Sequence, residues 1–163
     1  MTAQRGGFRG WLAGGVATAL LLTTGPGGSP AEASQEGRWD AAIRRAFDQA
    51  GLPGQLAVLV AHAESSGNPN APGPGGERGL FQFDQATWRR RSKRPWAYAR
   101  DPRANIEAAV QHWKALRRRN PKAEPRDYAA WHNAGEPRWR VLKPEWSTRH
   151  PNRTYRRIYA EGR

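Results

Sequence analysis

Apolar residues recur at helical spacing along the chain from residue 39 onward. Trp39, Ile43, Ala46 and Phe47 share one face of a predicted first helix, which Gly51-Leu52-Pro53 ends. Because these apolar positions are three or four residues apart, the pattern favours a helix packed on a core over a strand.

The next segments predict two more helices and two connections. A second apolar stripe runs from Leu56 to Ala63, and the Gly- and Pro-rich residues 70–78 are expected to form a loop. Residues 82–91 predict a short third helix with Trp88 on its inner face. The basic residues 92–100 are expected to connect it to the next helix.

A strong helix start follows at Asp101-Pro102, since Asp caps helices and Pro suits the first turn. This helix is expected to close at Asn120. Residues 125–133 and 152–161 predict two further helices. No long stretch alternates as strands do, so we expect a small all-α domain with about five to seven helices.

The first 33 residues have the three parts of a secretory signal: two arginines, the apolar stretch Trp11–Leu22, and Ala31-Glu32-Ala33 as a small-x-small cleavage site. The apolar stretch is short for a bilayer span, which takes about 20 residues. We therefore expect a signal peptide at residues 1–33, a domain at residues 34–163, and export to the cell envelope or beyond. An uncleaved anchor is the alternative.

The charge is strongly positive. Without Arg5, Arg9 and Glu32, the totals of 27 basic and 14 acidic side chains become 25 and 13, a net of +12. Such a field attracts polyanions, which for an exported protein include anionic wall polymers and lipid head groups. A solvated, arginine-rich surface without a specific partner is an equally good interpretation.

The chain contains no Cys, so disulfides cannot stabilise the protein in an oxidising compartment. Its four His residues show no paired metal-ligand spacing. We expect neither a metal nor a cofactor.

Glu64 is the strongest candidate for chemistry. It lies four residues after Val60, on the face of the apolar stripe and at the end of the predicted helix. Desolvation raises a carboxyl pKa, and a proton kept near neutral pH can serve as a general acid. An exposed or salt-bridged Glu is the ordinary alternative.

Polar and aromatic residues near Glu64 in the sequence could complete a site. Ser65 could orient the acid or bind a sugar hydroxyl, although it could also be a helix cap. Gly79 permits a positive φ or a close backbone approach, and Gln82 offers a donor and an acceptor to a polar ligand. Aromatic rings suit sugar faces but more often fill cores. Trp88 and Trp113 fit a core, and the candidates for a cleft wall are Trp96, Trp131, Trp139 and Trp146.

Together these features resemble the lytic transglycosylases, family-23 glycoside hydrolases with the soluble lytic transglycosylase domain. The order and approximate spacing of the shared motifs hold from about Leu56 to Ile158. The motifs are Glu64-Ser65, Asn68-Pro69-Asn70-Ala71, Gly79-Leu80-Phe81-Gln82, Asp101-Pro102-Arg103-Ala104-Asn105-Ile106, Trp131-His132-Asn133-Ala134-Gly135, and a late tyrosine best matched by Tyr155.

The resemblance implies a lysozyme-like helical domain whose cleft binds peptidoglycan glycan strands, acting as a monomer. It implies cleavage of the β-1,4 bond between N-acetylmuramic acid and N-acetylglucosamine with a 1,6-anhydro product. Glu64 would be the catalytic acid and then the base, and the substrate's N-acetyl group would replace the second carboxylate that most glycosidases use. Tyr155 would hydrogen-bond Glu64, Ser65 would orient it, and Gln82 and Asn133 would hold the sugar.

Three positions depart from the family pattern. Phe81 replaces a Met, which is a modest apolar change. Gly73 stands where a serine is usual, and His132 stands where the family has Tyr.

Three other functions are compatible with the residues. A hydrolytic muramidase of goose-lysozyme type, or a related resuscitation factor, would need a positioned water and a second carboxylate, for which Glu77 and Asp84 are nearest. A non-catalytic wall-binding module could use the same groove. A nucleic-acid binder is disfavoured by the signal segment and by the absence of a recognisable binding motif.

Overall fold

The structure, a computed structural model, describes residues 37–134 and 152–161. Within these ranges the chain forms six α-helices and one 3-10 helix, and its only β pairing is an isolated bridge between Arg78 and Phe83. The prediction of an all-α domain is therefore confirmed. The helices are α1 (Asp40–Gln49), α2 (Gly54–Ser65), α3 (Gln85–Arg91), the 3-10 helix (Trp96–Arg100), α4 (Pro102–Arg119), α5 (Pro125–Ala134) and α6 (Arg153–Glu161).

Side-chain caps define where two of these helices begin. The Asp101 carboxylate accepts from the Ala104 amide at 2.8 Å, and Pro102 occupies the first turn of α4, as its sequence predicts. Asp84 caps α3 in the same way, accepting from the Thr87 amide at 2.7 Å. The prediction that this helix begins at residue 82 was therefore three residues too early.

The core lies between α4 and the other helices. Trp88 and Trp113 are fully buried, as predicted. Trp131 is also fully buried, and its ring packs 5.5 Å from that of His112, so the prediction that it walls a cleft was wrong. Trp96 is half-buried, with the Trp88 ring on one side and the Arg78 guanidinium 4.7 Å from its centroid.

Helix α2, which ends with Glu64 and Ser65, is packed by α1, α5 and α6. Its buried face includes Leu56, Val60 and Ala61. The end of α2 is therefore held by elements from both ends of the described chain, and the candidate acid lies where they meet.

Several predictions lie outside the described residues. These are the signal segment at residues 1–33, Gly135, Trp139 and Trp146. None of the described helices is long and apolar enough to cross a bilayer.

Candidate active site

Glu64 and Tyr155 meet at the centre of the candidate site although 91 positions separate them in sequence. The Tyr155 hydroxyl donates to Glu64 Oε1 at 2.5 Å. Tyr155 comes from the first turn of α6 and is 1% exposed. The last turn of α2 and the first half of α6 thus bring one acid and one phenol together.

The surroundings of Glu64 keep its proton near neutral pH. Burial raises the pKa of Glu64 from 4.5 to about 7, the Tyr155 hydrogen bond opposes this rise, and the negative charge of Glu77 adds to it. A carboxyl group with a pKa close to 7 can both give and take a proton in one catalytic cycle.

Tyr155 remains a neutral donor under the same conditions. Burial, followed by the charge of Glu64, raises the pKa of Tyr155 well above its usual value. The Asn133 side chain also hydrogen-bonds the Tyr155 hydroxyl. Asn133 lies near the end of α5 and is exposed, so the group reaches from the buried phenol to the surface.

Tyr159 extends this cluster by one turn of α6. Its ring stacks on that of Tyr155 with centroids 5.9 Å apart. Burial and the nearby Glu64 charge raise the pKa of Tyr159. Tyr159 was not predicted as part of the site. Only the turn spacing after Tyr155 could have indicated that it lies near Glu64.

The motif around Gly79 forms a tight turn beside the end of α2. Gly79 has φ +83°, and the amides and carbonyls of Arg78 and Phe83 pair with each other at 3.0 Å on either side. A Cβ on Gly79 would collide with the Asn105 amide and the Ala99 carbonyl. This turn therefore requires a glycine for both its conformation and its packing.

Asn105 holds this turn from α4. It is fully buried, its Oδ1 accepts from the Phe81 amide at 2.9 Å, and its Nδ2 donates to the carbonyls of Ala99 and Arg78 at 2.8 and 3.2 Å. The sequence analysis recorded Asn105 as part of a motif but missed this role. The available signal was an amide within the apolar face of a helix, where it requires hydrogen-bond partners.

Comparison with known families identifies the domain. The model of the transglycosylase SLT domain matches residues 41–147, which are 107 of the 163 residues. The chain belongs to the transglycosylase SLT domain family. Searches of curated proteins and of solved structures returned no match.

Membership makes the chain a lysozyme-like domain of the lytic transglycosylase family, whose substrate is peptidoglycan. The family match ends at residue 147, before α6 begins. The contact between Tyr155 and Glu64 is therefore an observation independent of the match.

Ser65 in this SLT domain is buried. Its hydroxyl lies 3.0 Å from the Ala61 carbonyl and 2.9 Å from the Leu80 carbonyl. These contacts connect the end of α2 to the glycine turn. In the structure Ser65 therefore positions the backbone next to Glu64, and its hydroxyl is already engaged by carbonyl oxygens.

Gln82 lies at the exit of the glycine turn with φ +45°, in the left-handed region. Its Nε2 donates to the Gly79 carbonyl at 2.9 Å and to the Ala71 carbonyl at 3.3 Å. Gln82 Oε1 points to the space beside Gly73, where an added Cβ would come within 2.6 Å of it. The Gln82 amide nitrogen thus stabilises the loop, while Oε1 faces Gly73, the position where the family usually has a serine.

Glu77 occupies the same space. A Cβ on Gly73 would come within 2.5 Å of Glu77 Oε2, and this oxygen accepts from the Gly75 amide at 2.7 Å. The departure at Gly73 therefore makes room for a second carboxylate whose charge reaches Glu64. Asp84, the other carboxylate considered, is exposed and bonded to Thr87 at the start of α3.

His132, the other departure from the family pattern, packs against the glycine turn. Its Nε2 donates to the Phe81 carbonyl at 2.9 Å, and its ring contacts those of Phe81, Phe83 and His112. Burial lowers the pKa of His132 to about 4, so the ring is uncharged at neutral pH. His132 therefore supports the turn as an uncharged aromatic residue.

No group of three or more acidic or imidazole side chains that could hold a metal ion occurs within residues 37–134 and 152–161. Glu64 can transfer a proton because its pKa is raised to about 7, and Tyr155 and Asn133 supply hydrogen bonds next to it. The individual roles of Glu64, Ser65, Gln82, Asn133 and Tyr155 stay predictions.

Proposed function

We propose that this protein is a peptidoglycan lytic transglycosylase that cleaves the β-1,4 bond between N-acetylmuramic acid and N-acetylglucosamine and leaves 1,6-anhydro ends. The observation that carries the proposal is the half-buried Glu64 carboxyl, which is hydrogen-bonded to Tyr155 and has its pKa raised to about 7. A group of this kind can serve first as acid and then as base near neutral pH.

In the proposed reaction, Glu64 gives its proton to the glycosidic oxygen as the bond to C1 of the muramic residue breaks. The substrate's N-acetyl group stabilises the positive charge at C1. Ionised Glu64 then takes the proton from the C6 hydroxyl, whose oxygen closes on C1. This sequence returns Glu64 to its starting state and consumes no water.

The neighbours of Glu64 have separate parts in this proposal. Tyr155 stabilises the ionised carboxylate by donating a hydrogen bond from its hydroxyl. Asn133, which is hydrogen-bonded to that hydroxyl, holds the sugar on the solvent-exposed side. Gln82 Oε1 accepts from a sugar hydroxyl or N-acetyl amide. Ser65 acts through the backbone, keeping the end of α2 against the glycine turn.

The proposed setting is the cell envelope, where the substrate lies, with export by the signal segment and action as a monomer. The net charge of +12 that remains without the signal segment favours retention by anionic wall polymers. No nucleic acid partner is proposed.

A matched pair of variants tests the proposal. Glu64→Gln is expected to abolish release of soluble muropeptides from purified sacculi, because it keeps the shape of the acid without its proton. Glu107→Gln, on an exposed acid of α4, is the control and should keep wild-type activity.

Release at the wild-type rate by Glu64→Gln would refute the assignment of the acid. A wild-type protein that sediments with sacculi but releases nothing would instead indicate the non-catalytic wall-binding module.

A hydrolytic muramidase is the second candidate, and the observation that favours it is Glu77. This carboxylate lies close enough to raise the pKa of Glu64, in the space opened by Gly73. A second carboxylate can activate water in an inverting hydrolase. Reducing ends that require Glu77 would support this candidate over the transglycosylase.

A further inference from the structure

Asn152 connects the two helices that carry Glu64 and Tyr155. It lies immediately before α6 and is half-buried. Its side chain reaches across to α2, where its Nδ2 donates to the Ala63 carbonyl at 3.0 Å. Ala63 is the residue before Glu64, and Asn152 is three residues before Tyr155, so this contact lies next to the catalytic pair.

The two ends of the Asn152 amide have different partners. Its Oδ1 accepts from the Thr154 amide at 2.9 Å and the Tyr155 amide at 3.2 Å, which caps the start of α6. Its Nδ2 satisfies a carbonyl in the last turn of α2, where carbonyl groups lack partners within the helix. The Asn152 side chain therefore caps both the end of α2 and the beginning of α6.

We infer that Asn152 is a positioning residue that holds the Tyr155 hydroxyl on the Glu64 carboxyl. The inference rests on the proposed function only in taking Glu64 as the acid. The bond between Tyr155 and Glu64 spans 91 positions in sequence, and the Asn152 bond to Ala63 spans 89. Both are side-chain hydrogen bonds between α2 and the α6 segment, so the bond from Asn152 to Ala63 helps to keep Tyr155 beside Glu64.

Three groups act on the charge of Glu64 from the elements around it. Tyr155 and Tyr159 face it from α6, and Glu77 faces it from the loop before the glycine turn. Asn152 itself carries no charge. A substitution that loosens α6 therefore changes the titration of Glu64 through Tyr155, and this dependence can be measured.

The test separates the capping role of Asn152 from its contact with α2. Asn152→Ser keeps an oxygen that can cap α6, but its side chain is too short to reach Ala63. Asn152→Ala loses both contacts. Asp48→Ala is the control, since Asp48 accepts from the Gly54 amide at the far end of α2.

Each variant is made in the wild-type protein and in Tyr155→Phe. Four quantities are measured: the melting temperature, kcat and KM on sacculi, and the pKa of Glu64 in the resting protein from its carboxyl ¹³C resonance. The Glu64→Gln protein assigns that resonance.

Asn152→Ser is expected to fold with a melting temperature within a few degrees of wild type. Its kcat should fall about 10-fold with little change in KM. The pKa of Glu64 should move in the same direction as it does in Tyr155→Phe. In the Tyr155→Phe protein it should add no further change, because its effect passes through the missing hydroxyl. Asn152→Ala should match it in kcat and melt at a lower temperature.

A wild-type kcat and Glu64 pKa in Asn152→Ser would overturn the inference, as would equal effects with and without the Tyr155 hydroxyl. The resting pKa does not depend on turnover. If the wild-type protein releases nothing from sacculi, the proposed function fails while the pKa measurements still decide the role of Asn152.

Discussion

At the scale of single residues, Glu64 shows how burial and one hydrogen bond set the properties of an acid. Burial is the largest influence and raises its pKa, and the Tyr155 bond partly offsets the rise. Ionising Glu64 is therefore less favourable in the folded protein than in the unfolded chain. The consequence is a stability that depends on pH in a direction opposite to that of a salt-bridged carboxylate.

Glu64→Gln is expected to stabilise the protein at alkaline pH. Below pH 4.5 Glu64 is largely protonated in both states and the two proteins should unfold alike. Between pH 4.5 and about 7 the unfolded chain ionises first, so the wild-type protein loses stability as the pH rises.

The rise from 4.5 to about 7 corresponds to at most about 3 kcal/mol, which the Gln variant should regain at pH 8. Denaturant unfolding at pH 4 and pH 8 measures this difference, with Glu107→Gln as the exposed control. A stability difference that is the same at both pH values would contradict the proposed burial of the acid.

At the scale of elements, the glycine turn and α4 form one unit through Asn105. Gly79→Ala forces a Cβ into the Asn105 amide and the Ala99 carbonyl. Gly76 is a matched control, because it has φ +86° but no atom within 4 Å of an added Cβ. Both substitutions carry the strain of a positive φ, and only Gly79→Ala carries the collision.

We expect Gly76→Ala to lower the free energy of unfolding by about 1 kcal/mol and Gly79→Ala to lower it by about 3 kcal/mol or more. Urea unfolding monitored by tryptophan fluorescence measures both. Equal losses would show that the turn is not packed against Asn105 as described.

The helices could be predicted from sequence where spacing and caps agree, as at Asp101-Pro102 for α4. The start of α3 was misplaced because nothing in the local sequence shows that Gln82 adopts φ +45° in the turn, and the helix begins only after the Asp84 cap. The 3-10 helix at Trp96–Arg100 was missed because so short an element has no measurable period.

Within the site, Glu64 was predictable from its place on an apolar face. The contacts of Asn105 and Asn152 were not, because their partners lie up to 27 and 89 residues away. Local patterns contain no information about such pairs. The burial of Trp131 was missed for a related reason, since its ring packs against His112, 19 residues earlier in α4.

At the scale of the whole molecule, the site is assembled from segments distributed over most of the described chain. The acid comes from α2, the turn is braced by α4, the amide of Asn133 comes from α5, and the phenol of Tyr155 comes from α6. Helix α6 lies beyond the region matched to the SLT domain, and the hydrogen bond from Tyr155 to Glu64 connects this helix to that region. The folded domain as a whole, and no isolated segment, supplies the proposed chemistry.

Mass spectrometry of the muropeptides that the purified protein releases from sacculi tests the central claim most directly. Closure of the C6 oxygen on C1 leaves each new muramic end lighter by one water than a hydrolysed end and without a reducing group. The account predicts that 1,6-anhydro ends predominate and that they disappear in Glu64→Gln. Products that carry only reducing muramic ends would contradict it.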